Sequence, residues 1–149
     1  MEDILIRKAK ISDLPAIVKL LAELIESTEN KEGFDADVTY RNCQFFLDDP
    51  NSHILVSEAN GVIIALANFV IRRTLLHPSF SGLIDEFVVA KDYRGKGVGR
   101  QLISAVIEEC KELGCCEVEV STEFTNTNAR KFYKSCGLDE VGPFFEIDC

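Results

Sequence analysis

Tryptophan is absent from this chain of 149 residues, and methionine, histidine and proline are scarce, with one, two and four copies. Long hydrophobic stretches are missing too, since the longest, residues 62–71, is too short to span a bilayer and contains Asn68. The first residues lack a basic flank followed by an apolar core, so no secretory signal is visible. We therefore expect a cytoplasmic protein with no membrane partner.

Basic residues are in deficit, with 16 Lys and Arg against 25 Asp and Glu and a formal net charge of −9. This balance argues against a nucleic-acid partner, because such binding needs a surplus of cationic side chains. The six cysteines form no CxxC pair and no Cys/His ligand spacing. We therefore expect reduced thiols and no metal site, although the adjacent Cys115 and Cys116 leave redox chemistry open.

What is present is the composition of an ordinary globular domain, with 46% hydrophobic and 28% charged residues. The length suits one domain, which we expect to cover residues 1–149. Hydrophobic periodicity and the Asn60-Gly61 turn predict the order β-α-α-β-β-β-α-β-α-β, with a last strand over residues 144–148. This order predicts an α/β fold with a mixed sheet and helices on both faces.

The most informative segment joins a strand over residues 83–90 to the helix that follows. It consists of Arg94, Gly95, Lys96, Gly97, Val98, Gly99 and Arg100. Alternating glycines allow close approach of the backbone to an anion, and the first N–H groups of a helix lack internal partners. The segment predicts an anion site, and the alternative is a plain strand-to-helix turn.

Two common nucleotide-binding motifs do not fit this segment. The dinucleotide fingerprint G-x-G-x-x-G requires a wider last spacing than the G-x-G-x-G found at residues 95–99. The P-loop pattern GxxxxGK followed by Ser or Thr is also missing from the sequence. The anion is therefore not predicted to be held in either of these two ways.

Residues 94–99 resemble the Arg/Gln-x-x-Gly-x-Gly/Ala element of the GCN5-related N-acetyltransferase (GNAT) superfamily. Residues 6–21 resemble its first strand and helix, and residues 126–138 its Asn-x-x-Ala-x-x-Phe/Leu-Tyr element with a following glycine. Residues 85–95 are similar to the diamine and polyamine branch. The resemblance implies a mostly antiparallel mixed sheet with splayed strands, acetyl-CoA as co-substrate, direct transfer in a ternary complex, and a homodimer.

The same resemblance implies roles for individual residues. The Phe87 N–H would hold the acetyl carbonyl, and the backbone of Val89 would pair with the pantetheine arm. Asn126 would either contact this arm or cap the following helix. The full set of implied cofactor-binding residues is Phe87, Val88, Val89, Arg94, Gly95, Lys96, Gly97, Val98, Gly99, Arg100 and Asn126.

Catalysis requires a base for the amine and an acid for the departing thiolate. Asp85 and Glu86 are the candidate bases, and strand alternation places them on opposite faces, so that one faces the reaction centre. The alternative is that both are solvated carboxylates at a strand end. The resemblance assigns the acid to Tyr133, whose alternative role is that of a core tyrosine.

An acidic protein with carboxylates near the site suggests a small cationic primary amine as the acceptor, such as a diamine or polyamine. One alternative is a peptide or protein N-terminus or lysine, and another is a non-catalytic acyl-CoA-binding module. A peptide acceptor predicts an open groove beside the strand of Phe87, whereas a small amine predicts a closed acidic pocket.

Overall fold

The computed structural model describes residues 3–28 and 33–149. Its strands are β1 (Ile4–Lys8), β2 (Ser52–Ala59), β3 (Val62–Arg72), β4 (Phe80–Val89) and β5 (Cys115–Val120). Its α-helices are α1 (Leu14–Glu26), α2 (Ala36–Asp48), α3 (Val98–Glu112) and α4 (Thr127–Ser135). Short 3-10 turns at Ile11–Asp13 and Lys91–Tyr93 precede α1 and follow β4.

The five strands form one sheet in the order β1-β2-β3-β4-β5. The pairs β1–β2, β2–β3 and β3–β4 are antiparallel, and the pair β4–β5 is parallel. At the β2–β3 hairpin, Asn60 and Gly61 have φ angles of 50° and 79°, the left-handed pair that a two-residue hairpin turn requires. The predicted mixed, mostly antiparallel sheet is confirmed.

Each face of the sheet carries its own hydrophobic core. Helix α3 packs on one face, where the buried side chains include Leu55, Phe69, Ile84, Leu102 and Val106. Helices α1 and α2 pack on the other, where they include Leu14, Ile17, Val56, Leu66 and Val88. The prediction of helices on both faces is confirmed, and the sheet separates the two layers of helices.

The predicted last strand over residues 144–148 is wrong. Residues 138–149 form neither helix nor strand, and the side chains of Phe144, Phe145 and Ile147 are 69%, 85% and 88% exposed. The apolar character that suggests a strand is present, but a strand also needs a neighbour for its N–H and C=O groups. In the described residues β5 pairs with β4 alone.

The homodimer stays a prediction.

Across residues 3–28 and 33–149, no helix is long and apolar enough to span a membrane. The same part of the chain contains no group of three or more His, Cys, Asp or Glu side chains that could hold a metal ion.

An ion cluster fixes the start of α1 against the sheet. The Arg7 guanidinium donates to both Asp13 carboxylate oxygens, at 2.7 and 3.0 Å, and to Glu58 at 2.6 Å. Asp13 also accepts the Lys10 N–H at 2.9 Å, and its side chain is only 7% exposed. These hydrogen bonds, led by that from Arg7, hold the pKa of Asp13 below its usual range.

Replacing Asp13 with alanine is expected to lower the free energy of unfolding by about 2 kcal/mol, because Arg7 loses a bidentate partner in a half-buried site. A lowered pKa means that the stabilising contribution is present above the unfolded-state pKa of about 3.9 and is lost as the pH falls below it. Urea unfolding at pH 7 and pH 3 measures both effects. If wild type and Asp13→Ala differ in free energy of unfolding by the same amount at pH 7 and pH 3, the stabilisation by Asp13 is not ionic. Asp13→Asn is the control, because it keeps the shape of the side chain and removes its charge.

Candidate active site

A β-bulge in β4 marks the site. Opposite β3, Glu86 pairs with Asn68 and Ile84 pairs with Phe69, so Asp85 is an extra residue with no counterpart. The parallel pairing of β4 with β5 ends at the same point, with Ile84 opposite Val120. Beyond the bulge, β4 therefore continues beside β3 while its other edge borders a gap.

The main chain of β4 beyond the bulge faces this gap at alternate residues. The Ala90 N–H donates to the Ile64 carbonyl at 2.8 Å, in register with the pairs Val89–Ala65, Val88–Leu66 and Phe87–Ala67. Hydrogen-bonded and non-hydrogen-bonded pairs alternate in an antiparallel ladder. The N–H and C=O groups of Phe87 and Val89 therefore point away from β3, into the gap.

The predicted anion turn lies between this edge and α3. Gly95 and Gly97 have φ angles of 73° and 85°, which L side chains rarely adopt, and nothing lies within 4 Å of a Cβ added at either position. Gly97 is the N-cap residue of α3, a helix of 15 residues whose first N–H groups carry the positive end of its dipole. This open, N–H-rich concavity fits a diphosphate.

The three cations of the turn differ in their partners. Arg94 is exposed, and its Nε donates to the Val89 carbonyl at 2.9 Å, so this side chain spans the turn and the edge of β4. Lys96 is also exposed, with its Nζ 5.4 Å from the centre of the Tyr93 ring. Arg100 instead donates to the carbonyl and hydroxyl oxygens of Ser135 in α4, at 3.0 Å each. Of the three predicted cations, Arg94 and Lys96 thus border the concavity, whereas Arg100 is bound to α4.

Three other predicted cofactor-binding residues have packing roles. The side chains of Val88 and Val98 are buried, 3% and 1% exposed, in the two different cores. A Cβ on Gly99 would lie 3.2 Å from the Phe132 ring, so this glycine allows α3 and α4 to pack closely. At Val98 the part nearest the concavity is the main chain at the start of α3. Cofactor contact by these residues stays a prediction.

Helix α4 carries Tyr133 to the same edge of β4. The Phe87 ring lies 6.2 Å from the Tyr133 ring and 5.8 Å from the Phe132 ring, measured between centroids. Burial raises the pKa of Tyr133 to about 12. The phenol is therefore neutral at pH 7, and it is a much weaker acid than an ordinary thiol, whose pKa is about 8.5. It suits hydrogen-bond donation to a thiolate better than full proton transfer.

Asn126 begins α4 as its N-cap. Its Oδ1 accepts the Ala129 N–H at 3.1 Å, so the capping role is observed. The amide nitrogen of this exposed side chain is not used by the cap. A contact with the pantetheine arm stays a prediction.

The two candidate bases lie in different environments. Glu86 accepts a hydrogen bond from Asn68 Nδ2 at 2.7 Å and lines a cavity beneath α1 and α2. Asp85 is exposed at the bulge, where the positive charge of Arg72 acts on its carboxylate. Loss of hydration raises the pKa of both carboxyls, through burial of Glu86 and through the partial shielding of Asp85 by the bulge, against the lowering effect of Asn68 on Glu86 and of Arg72 on Asp85. Of the two carboxylates, Glu86 lines this cavity and Asp85 does not.

The cavity beside Glu86 has a volume of about 180 Å³ and lies between α1, α2 and the sheet. Most of its lining is apolar: Ile17, Leu21, Leu24, Ile25, Phe34, Phe46, Ile54 and Leu66. The remaining lining residues are Thr39, Asn42, Cys43, Asn68 and Glu86. A mostly apolar pocket, partly open to solvent, thus meets β4 on the face opposite Phe87 and Tyr133.

Asn68 was not predicted as a site residue. It is 5% exposed, and its Oδ1 is buried without a hydrogen-bond partner among the described residues. The available signal was its position as the one polar residue in the apolar run over residues 62–71. A polar side chain in a buried strand needs a partner, and here that partner is Glu86.

Comparisons with known proteins agree with this arrangement. A model of the acetyltransferase (GNAT) family matches residues 15–138. The chain is 27% identical to the aminoalkylphosphonate N-acetyltransferase of Salmonella typhimurium over 86% of this chain and 80% of the relative. It is 28% identical to the glucosamine 6-phosphate N-acetyltransferase of Arabidopsis thaliana over 89% of this chain and 88% of the relative.

A solved structure of the aminoglycoside N-acetyltransferase AAC(6')-Iy in complex with CoA has a similar fold, with a TM-score of 0.87 and 23% identity. The match covers 100% of this chain and 97% of that one.

Proposed function

Because this chain belongs to the acetyltransferase (GNAT) family, we propose that residues 1–149 form one catalytic domain that acetylates a small cationic primary amine. The chain is an acetyl-CoA-dependent N-acetyltransferase, and acetyl-CoA is its co-substrate. The proposal concerns the acceptor and the residues that act on it.

The observation that carries the proposal is the combination of bulge and gap at β4. Beyond Ile84, the main-chain groups of Phe87 and Val89 face an open edge that leads to the concavity at Gly97. An extended thioester-bearing arm fits such an edge, because it can take the place of the missing strand. Glu86 faces the opposite side of β4, where an amine can approach.

The proposed reaction is direct transfer. Glu86 accepts a proton from the ammonium group, and the amine nitrogen forms a bond to the acetyl carbon. The Phe87 N–H donates to the carbonyl oxygen as negative charge develops there, in the manner of an oxyanion hole. The carbon–sulfur bond then breaks, and the sulfur leaves with its electron pair towards the Tyr133 hydroxyl, which stabilises the thiolate by hydrogen bonding. The acylated nitrogen still carries one extra proton, which passes through solvent to the thiolate, so the products are the neutral amide and the CoA thiol.

Two observations support a small acceptor. The pocket beside Glu86 is a cavity of about 180 Å³ between α1, α2 and the sheet, whereas a peptide acceptor predicts an open groove along β4. The Salmonella and Arabidopsis relatives are named for small-molecule acceptors, an aminoalkylphosphonate and glucosamine 6-phosphate.

The test is release of free thiol from acetyl-CoA in the presence of a panel of amines and short peptides. Turnover with small primary amines supports the proposal. Turnover with peptides alone favours the peptide acceptor, and CoA binding without any turnover favours the non-catalytic module.

Replacing Gly97 with valine is expected to weaken CoA binding by about tenfold, because a φ of 85° strains the new residue and turns the N–H groups of α3 away from the diphosphate. Calorimetric titration with CoA measures the effect. Gly61→Val is the matched control, since Gly61 has a φ of 79° in equally open space at the β2–β3 hairpin. We expect the control to bind CoA normally. Equal affinity in Gly97→Val and the wild type would contradict the assignment.

A further inference from the structure

The cavity beneath α1 and α2 is lined mostly by apolar side chains, with Thr39 and Asn42 from α2 and, on the sheet, a polar end formed by Asn68 and Glu86. At the polar end, Asn68 and Glu86 are joined by the 2.7 Å hydrogen bond from Nδ2 to Oε2. A carboxylate only accepts hydrogen bonds, so this contact identifies the other amide atom of Asn68 as the oxygen. That Oδ1 is buried without a partner in the described residues.

An unpartnered buried carbonyl oxygen calls for a donor, since burial without a hydrogen bond is costly. An ammonium group has three N–H donors and no acceptor. It can donate to Glu86 and to Asn68 Oδ1 at once, which would satisfy the polar end of the cavity. The amine nitrogen would then lie against β4, one residue from Phe87, whose N–H faces the gap.

The rest of the cavity disfavours a second charge. Glu86 is the one charged side chain among the described residues that line it, and the helices contribute apolar side chains such as Leu24 and Phe46 together with the neutral polar Thr39 and Asn42. A diamine would place its second ammonium against these side chains, where no described lining residue supplies a counter-ion, and partial loss of hydration without an ion pair is unfavourable. The volume of about 180 Å³ suits an apolar body of ring size, since a cavity of roughly 150 Å³ holds benzene.

We propose that the acceptor is a primary amine with a single positive charge and an apolar body, anchored by Asn68 and Glu86 with its body between α1, α2 and the sheet. This inference rests on the proposed acetyl transfer to a small amine. Within the proposed class of small primary amines, it favours amphipathic monoamines over diamines and polyamines.

The sharpest test compares hexylamine with 1,6-diaminohexane, which differ by one terminal ammonium. We expect kcat/KM for thiol release from acetyl-CoA to be about 100-fold higher with hexylamine, because the second charge has no ion-pair partner among the lining residues that the structure describes. Equal or faster turnover of the diamine, or turnover of a peptide N-terminus alone, would overturn this inference and leave acetyl transfer standing. No turnover with any amine, despite CoA binding, would instead overturn the proposed function.

A variant locates the selectivity in the cavity. Leu24→Glu places a second carboxylate on the cavity wall and should reduce the hexylamine preference at least about tenfold, because the diamine gains an ion-pair partner. Lys19→Glu, on the exposed side of the same helix, is the matched control and should keep the wild-type preference. Retained CoA binding shows that each variant is folded. An unchanged preference in folded Leu24→Glu would place the acceptor elsewhere, and the wild-type substrate pair decides the proposal if this variant does not fold.

Discussion

Replacement of Glu86 with glutamine is expected to lower kcat/KM for amine acetylation by about 10²–10⁴-fold, because the variant retains an acceptor for Asn68 but has no carboxylate to take the proton. CoA affinity should be unchanged, since the cofactor is proposed to bind along the open edge of β4 and not in the cavity that Glu86 lines. Thiol release and calorimetric titration measure the two quantities separately.

Asp85→Asn is the matched control for this variant. Asp85 is the neighbouring carboxylate, but it is exposed at the bulge and does not line the cavity. We expect its loss to change kcat/KM only a few-fold, the scale of a nearby surface charge. A large loss in Asp85→Asn together with a small one in Glu86→Gln would assign the base to Asp85 instead.

The pH dependence provides a second measurement on Glu86. Burial raises the pKa of this carboxyl above its ordinary value, and the neighbouring charge of Asp85 acts in the same direction, while the Asn68 hydrogen bond opposes them. A base must be deprotonated to act, so kcat/KM should fall with decreasing pH at a midpoint above about 4.3, the ordinary pKa of glutamate. This acidic limb should be absent from Glu86→Gln.

The same shift predicts the effect on stability. A raised pKa in the fold means that the ionised carboxylate is less stable there than in the unfolded chain. At pH 7 Glu86→Gln should therefore raise the melting temperature, and the gain should shrink as the pH falls towards the pKa of the carboxyl. A catalytic group that costs stability is a common trade-off in enzymes.

Tyr133→Phe is expected to lower kcat by about 10–150-fold, the value of a hydrogen bond of about 1.5–3 kcal/mol to a charged group. Full proton transfer by a general acid contributes about 10²–10⁴-fold, so a loss above about 10³-fold would favour the acid role and a loss below about 10²-fold the hydrogen-bonding role. With a pKa of about 12, Tyr133 should also produce no loss of rate between pH 7 and pH 10. Pre-steady-state measurement of thiol release isolates the chemical step.

Tyr40→Phe is the control for removal of a phenol hydroxyl, because Tyr40 lies in α2, on the other side of the sheet from Tyr133. It should retain the wild-type kcat. If Tyr133→Phe also turns over at the wild-type rate, then Tyr133 is a packing residue against Phe87 and the thiolate needs no donor from α4.

Local patterns were sufficient for most of the fold. The strand over residues 62–72 and the preceding hairpin were predictable because Asn60 and Gly61 adopt left-handed φ angles at little cost. The start of α3 was predictable because the glycines at 95 and 97 mark a turn that other residues would strain. The family resemblance of residues 94–99 was confirmed by the match over residues 15–138.

Features that depend on pairing between distant segments were not predictable. The segment over residues 144–148 has the apolar side chains of a strand but no neighbouring strand among the described residues. The bulge at Asp85 depends on the register of β4 against β3, which no local pattern specifies. The cavity depends on how α1 and α2 pack over Asn68, so the pocket emerges only from the assembled structure.

The bulge at Asp85 has a consequence for how the acceptor preference of this enzyme can evolve. The contacts proposed for the acetyl donor come from backbone atoms of β4, which every amino acid supplies, whereas the pocket proposed for the acceptor is lined by side chains, which differ from residue to residue. A point mutation at the cavity wall can thus alter the preferred nucleophile while the grip on the thioester persists.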